Sequence, residues 1–556
     1  MTEPYSLAVE PWLPVAMADG TRKFVSIRKI ADPDILTINT GRADCDICLT
    51  EFLIGLAAIA LAPDDERDWV DLFHNPPTPD VIDAALRPFA HALVLDGPGP
   101  RFLQDFDPLQ GDEVPVSSLL MDQPGANTLK DNADHFVKRG QMRTLSRAGA
   151  AIALLTLQTS APSGGAGHRT SMRGGGPVTT LVVPRLNGKP PNLWQLIWAN
   201  TPLDYRVDPA DAAKAMPWLA PTRTSAKGEP GATTTPAHPD FHRAQAFFGM
   251  PRRVRLNFAQ NTGDQACDLL GHKDEIIVQN YVTRPYGFNY TDCIHPLSPY
   301  YKVDEKSNNW LPLHFKSSVI SYKSWVGLTL RGTKSETRRP ADVVHNFIGN
   351  RRRRLGIKES DLNRSIGLLA CGYAMDNMKP LDFTEAMLPL ISTGDPERDK
   401  DLADCALHMV QAAELTASQL LTALKIALFD PEKKNQPDSN KTVLDAPRAR
   451  FWAETEADFY RLLAVAASIE QNPQAAHAML DHVAAAWLPV ICNAALRIFD
   501  ETAPIDAPED PDLEDIVKGR SLLHSSLFGY GAIGNKIYDA LNISPPEKKK
   551  AQGNAA

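Results

Sequence analysis

The sequence has little cysteine, no net positive charge and no long apolar run free of charge, and each shortage excludes a class of function. Seven cysteines are scattered through 556 residues, and only Cys45 and Cys48 form a C-x-x-C, so no second pair completes a zinc site. In a reducing compartment such thiols act as small buried hydrophobes rather than as a disulfide framework. The opening MTEPYSLAVEPW lacks the basic start and apolar core of a signal peptide, so a cytoplasmic protein with no membrane partner is expected. A net charge of −9 argues against a free-standing nucleic-acid binder, because duplex affinity is dominated by neutralisation of phosphates. Any nucleic-acid role must therefore be local.

Signatures of catalysis are also missing. The glycine-rich segment Ser163–His168 has no Gly-Lys-Ser/Thr to close a Walker A loop, and its neighbours do not form the strand, GxGxxG, helix fingerprint. His238 and His242 are four apart, but the segment lacks the Glu of H-E-x-x-H and carries Pro239. No G-x-S-x-G elbow appears, and Asp134-His135 has no partner motif. No catalytic residue, cofactor or metal site is expected.

What is present is enough apolar sequence, 43% against 22% charged, for true cores in a chain too long for one of them. The start alternates as strands do (Leu7, Val9, Trp12, Val15), turns at Asp19-Gly20 and resumes at Phe24–Ile27, which predicts a hairpin. Cys45–Leu61 reads as a buried helix stopped by Pro63. Residues 105–147 form a long polar loop, followed by a helix over Ala148–Leu157, the glycine-rich segment, and a strand over Val178–Val183. The middle predicts an irregular sheet, with runs at Val254–Phe258, Ile276–Tyr281, Tyr286–Tyr290 and Val319–Leu330. Helical patterning at Ala341–Phe347 gives way to a loop over Gly372–Pro380.

Beyond Gly394-Asp395-Pro396 everything reads as helix. Apolar positions from Leu402 to Leu424 recur at steps of three and four; a polar linker, Asp430–Ala446, precedes a second helix, and Ala475–Phe499 and Leu513–Leu541 make a third and a fourth. The predicted fold is α+β: a large irregular mixed domain over 1–390, a C-terminal four-helix bundle over 391–545 and a disordered tail over 546–556.

Basic residues cluster at Lys138, Arg139, Arg143 and Arg147, at Arg252, Arg253 and Arg255, at Arg338 and Arg339, and at Arg351–Arg354. Each cluster is open to two readings, a nucleic-acid contact or a solvated face.

Five segments in order resemble the CasA family, the large subunits of type I-E CRISPR Cascade complexes: Leu7–Val15 with its W-x-P-V, Arg169–Thr180, Phe247–Arg252, His295–Pro299 and Gly372-Tyr373. The resemblance implies a non-catalytic subunit that reads the PAM of double-stranded target DNA through the minor groove, promotes duplex opening and R-loop formation, and helps recruit a helicase-nuclease. Its partners would be the other Cascade subunits with their guide RNA. Guide pairing would read the target while protein reads the PAM, the logic known from Cas9-type effectors.

By the same resemblance, Gly164, Gly165 and Gly167 form the glycine loop and Arg284 the basic finger. Asn377 with Met378 forms the duplex wedge, and residues 125–147, with Phe136, Lys138, Arg139 and Arg143, form a guide-proximal docking loop. Where the best-known relatives carry a lysine finger and a glutamine wedge, this chain has arginine and asparagine. Relatives with two C-x-x-C pairs would place the first on Ser146–Gly149 and leave only Cys267 of the second, so no zinc is expected. The alternative function is a scaffold subunit of another RNA-protein assembly.

Overall fold

The computed structural model describes residues 4–123, 140–165, 167–229, 232–304, 306, 309–316, 320–331, 337–357, 366–376, 379–429, 439–468, 473–504 and 513–546. The chain divides into two compact units: Met1–Ser318 with Thr337–Lys358 and Arg364–Leu388, and Val319–Glu336 with Glu359–Asn363 and Pro389–Ala556.

In the first unit, β1 (Leu13–Met17) and β2 (Arg22–Val25) make the expected hairpin, and β3 (Ile35–Ile38) pairs antiparallel on the other side of β1. The turn is held by the Asp19 carboxylate, which accepts from Thr21 N at 2.9 Å, and by Gly20 at φ +82°. Upstream of Leu13 the alternation does not make a strand. Trp12 is instead buried with its indole N–H on Leu7 O at 2.8 Å.

Helix α1 (Ala43–Ala60) is buried along most of its length, which is why its sequence is apolar on every side. Helix α2 (Arg147–Ser160) packs beside it and starts on Ser146, whose hydroxyl accepts from Gly149 N at 3.1 Å. Strand β4 (Thr179–Pro184) follows, then the antiparallel pair β5 (Arg253–Gln260) and β6 (Ile276–Arg284). The other edge of β6 pairs with Glu113–Pro115 and with Leu145–Ser146. Strands β7 (Ile366–Asp376) and β8 (Lys379–Pro389) extend the β4 sheet in the order β8-β7-β4.

Three expectations for this middle region are overturned. Gly372–Asp376 continue β7 rather than forming a loop, because a Cβ on Gly372 would lie 2.7 Å from Pro177 O; the glycine serves strand-to-strand approach. Tyr286–Tyr290 is not a strand: Tyr286 turns at φ +65°, and one bridge, Thr234 with Tyr290, is all the pairing it makes among the described residues. Val319–Leu330 is not β either. Its described part forms a 3₁₀ turn, Tyr322–Ser324, and the short helix α3 (Trp325–Thr329).

A buried polar cluster crosses the core of this unit. Glu51, midway along α1, receives Arg173 Nη2 at 2.6 Å and the Thr179 hydroxyl, while Arg173 Nη1 reaches Thr179 and Ser298 hydroxyls at 3.0 Å each. His295 lies beside them, its Nδ1 accepting from Leu297 N at 3.2 Å and its Nε2 3.7 Å from Glu51. Burial, reinforced by the Arg173 charge, holds this imidazole well below its usual value, so it is neutral in the fold. The unfolded chain takes up a proton there near pH 6.5, so unfolding binds protons as pH falls. Stability is therefore expected to fall below that pH by up to about 1.4 kcal/mol per pH unit. Urea midpoints from pH 7.5 to 5 check this, and His295→Gln should flatten the slope; an unchanged slope would remove His295 as its source.

The second unit is helical: α4 (Pro396–Leu428), α5 (Ser439–Ala467), α6 (Pro473–Thr502), α7 (Leu513–Leu527) and α8 (Gly531–Ala540). Asp395 caps α4 by accepting from Glu397 and Arg398 N–H groups, with Pro396 at the first helical position. Helix α5 begins inside the expected linker and carries Pro447 within it. The expected fourth helix is two, broken at Gly529 and Gly531, both with positive φ. One stretch of α6, His482–Thr502, is long and apolar enough to cross a bilayer, but Val483, Trp487, Ile491, Ala495, Ile498 and Phe499 on it are buried within this unit. Tyr322 joins the same core, stacked on Phe459 at 4.4 Å and 5.0 Å from the ring of Trp452.

Candidate nucleic-acid interface

Gly164, Gly165 and Gly167 and the end of β6 meet. Gly164 N donates to His168 O at 3.3 Å and His168 N to Gly165 O at 2.8 Å, which closes a tight turn with Gly165 at φ +65° and Gly167 at φ +84°. Tyr286 N then donates to Gly167 O at 2.9 Å, two residues beyond Arg284. A Cβ on Gly167 would lie 2.5 Å from the Tyr286 ring, and one on Gly164 2.6 Å from the Arg252 guanidinium. Gly165 differs, since nothing lies within 4 Å of a Cβ built there. Its backbone faces open space.

Arg284 is exposed. Its strand partner Arg253 takes the buried carboxylate of Asp105 at 2.6 Å, whereas no ion pair among the described residues engages Arg284. Behind the turn, burial lowers the Arg252 guanidinium to about 10, and burial with that nearby charge lowers His168. Arg252 packs behind the turn as a cation and His168 as a neutral imidazole. Arg169 faces the other way: its Nε and Nη2 reach Ser225 Oγ and O at 2.8 and 2.9 Å, and its guanidinium lies 5.9 Å from the Tyr286 ring centroid. Sequence reasoning missed Tyr286 and Arg169; the signal for Tyr286 was Arg-Pro-Tyr-Gly after a strand, a turn signature read as a strand start.

Asn377 and Met378 lie outside the described residues, between β7 and β8. The described base of this pair of strands is anchored. The Tyr373 hydroxyl bonds the buried carboxylate of Asp44, and Arg42 joins Asp44 at 2.8 Å to Asp122 at 3.1 Å. Gly176, at φ +61°, packs against Tyr373, so the second glycine run is spent on packing. Phe136, Lys138 and Arg139 also lie outside the described residues. Arg143 is exposed, with its backbone N–H on Asp268 at 2.7 Å.

Over residues 6–498 the chain matches the family described as CRISPR-associated protein Cse1. The chain belongs to that family. Several solved structures share its fold. A CRISPR-associated protein of Thermus thermophilus is 21% identical, with a TM-score of 0.68 over 95% of this chain and 100% of that one. Thermus thermophilus CasA (Cse1) is 20% identical, with a TM-score of 0.65 over 94% and 99%. A chain of a structure described as a CRISPR RNA-guided surveillance complex is 16% identical, with a TM-score of 0.55 over 94% and 100%. The CasA resemblance of the sequence segments agrees with the family match.

Among the described residues, each basic cluster of this Cse1 chain has at least one arginine engaged internally. Arg147 pairs with Asp274 at 2.8 Å, Arg255 donates to Asp105 O at 2.9 Å, Arg339 lies over Trp310 and Tyr300, and buried Arg351 lies 4.4 Å from the Trp69 ring centroid. The positions at which relatives carry C-x-x-C pairs do come together, because a Cβ on Gly149 would sit 2.6 Å from Cys267 Sγ. One thiol, a capping serine and a glycine do not make a zinc site. His238 and His242 each accept a backbone N–H at Nδ1, from Asp240 and Ala244. Among the described residues no group of three or more His, Cys, Asp or Glu is arranged to hold a metal.

Proposed function

We propose that this Cse1 chain is the large, non-catalytic subunit of a cytoplasmic type I-E Cascade. It would read a PAM in double-stranded DNA with Gly164, Gly165, Gly167 and Arg284, and promote duplex opening. The observation that carries the reading is the convergence of a glycine-rich turn, open at Gly165, with an exposed arginine outside every ion pair among the described residues, joined through the Gly167 to Tyr286 hydrogen bond of 2.9 Å. The minor groove is about 6 Å wide with a degenerate donor and acceptor code, so a slim backbone and a positive tip suit it and tolerate several PAMs. Arginine favours that electronegative slot.

Asn377 and Met378 would act as the wedge. Phe136, Lys138, Arg139 and Arg143 would lie on a loop docking near the guide RNA, where cations beside an aromatic suit single strands. The helical unit would hold the displaced strand and present the complex to a recruited helicase-nuclease. Family membership over residues 6–498 and the fold shared with a chain of a surveillance complex support these roles.

The test uses the chain assembled with its guide complex, on duplexes with and without PAM. Arg284→Ala, and Gly165→Asn, which tolerates a left-handed backbone, should each lower the PAM preference about tenfold while assembly is unchanged. Wild-type preference in both variants would put the reading head elsewhere, and a complex with no PAM preference at all would favour a scaffold in another RNA-protein assembly.

A further inference from the structure

We infer that Tyr286 is a further DNA-contacting residue, packing its ring on a deoxyribose in the minor-groove wall beside the glycine turn. The inference rests on the PAM-reading role proposed above and adds a residue that neither the glycine loop nor the finger includes.

Three independent features of Tyr286 point the same way. Its backbone sits at φ +65°, which is unusual for a bulky aromatic, and such strain persists only where the surroundings impose it. The surroundings do so here. Tyr286 N donates to Gly167 O at 2.9 Å, its own carbonyl accepts from Ser225 N at 3.0 Å, and the Ser225 hydroxyl donates to Gly287 O at 2.6 Å. Gly287 is itself pressed against Pro251 O, where a Cβ has no room.

The second feature is that this clamped ring remains 40% exposed, although the Phe288 and Tyr290 rings after it are stacked on each other at 5.9 Å and turned further inward. A fold that needed Tyr286 only as filler would cover it, as it covers Tyr281 and Tyr300. The third is its neighbourhood. The ring lies against Gly167, Arg169 sits 5.9 Å from its centroid, and Arg284 is two residues away. An exposed, rigid aromatic flanked by cations combines the two elements by which proteins hold nucleic-acid backbones without reading sequence, a packing platform and positive charge.

The ring, not the hydroxyl, makes the contact, so phenylalanine should replace it. In the assembled complex, Tyr286→Phe is expected to bind PAM duplex within about twofold of wild type and Tyr286→Ala about tenfold more weakly. Because Tyr286→Ala also removes the wall behind Gly167, affinity alone would not separate contact from support. A second measurement does so: p-benzoylphenylalanine in place of Tyr286, which abstracts sugar hydrogens on irradiation, should cross-link to PAM nucleotides and not to a duplex lacking the PAM. Weak binding by Tyr286→Ala without a PAM cross-link would make the residue a prop for the turn and overturn the contact. So would unchanged binding by Tyr286→Ala in a complex whose PAM preference Arg284→Ala still lowers. Loss of effect from both Arg284→Ala and Tyr286→Ala, with no cross-link, would instead overturn the placement of the reading head on which the inference rests.

Discussion

Replacing Arg173 by methionine is expected to destabilise the first unit by about 3–5 kcal/mol, because it strands the Glu51 carboxylate in the core without its cation. Arg173 and Glu51 are both buried, joined at 2.6 Å, and bonded to the Thr179 and Ser298 hydroxyls. The penalty of an unpaired buried charge exceeds what the lost contacts alone would give. The control follows from the same argument: Glu51→Leu with Arg173→Met removes both charges and should recover most of the loss, short of the Thr179 hydroxyl that then lacks its acceptor. Urea unfolding of the full chain checks both, and a single-variant loss below about 1 kcal/mol would mean that water reaches the pair.

That expectation gives a physical meaning to the stretch Arg169–Thr180, one of the five segments that carry the family resemblance. Within it Arg173 turns inward to neutralise Glu51 on α1, Gly174 and Gly176 make room for His314 and Tyr373, and Arg169 lies half-buried on Ser225 beside Tyr286. One segment of the resemblance thus serves both the buried ion pair and the packing beside the glycine turn.

Much of the first unit was legible because its information is local. The Asp19-Gly20 turn, the apolar run of α1 and the strands β4, β5 and β6 each announce themselves within ten or so residues. What was not legible depends on partners far along the chain. Gly372 looked like punctuation and is a point of strand contact, which only Pro177 reveals. Tyr286 looked like a strand residue and is an imposed turn. Arginines look alike in the sequence, yet Arg253 and Arg351 are spent on buried partners while Arg284 is exposed, a distinction that composition does not carry. The glycine turn and the finger were named through resemblance rather than spacing; their adjacency is what the structure adds.

The largest effect in the second unit is expected at Tyr322, a residue the sequence placed in the irregular sheet of the first domain. Its side chain is fully buried, stacked on Phe459 at 4.4 Å, edge-on to Trp487 at 6.0 Å, with its hydroxyl 2.8 Å from Thr455 Oγ1. Trp325 follows it into the same core, its indole N–H on Pro389 O at 2.8 Å. Tyr322→Ala should therefore lower the stability of the helical unit by about 3–5 kcal/mol, the range for emptying an aromatic site. Tyr322→Phe should cost about 1 kcal/mol, since Thr455 keeps its bond to Phe451 O and only one hydrogen bond is lost. Thermal unfolding of the full chain reads both, and equal losses in the two variants would shift the weight from the ring to the hydroxyl. The same geometry sets the outcome expected of a chain lacking residues 395–545. Such a chain keeps Tyr322, Trp325, Val326 and Leu328 but loses the helices that bury Tyr322 and Trp325, so aggregation on truncation would come from that uncovered strip and not from failure of the first unit's own core.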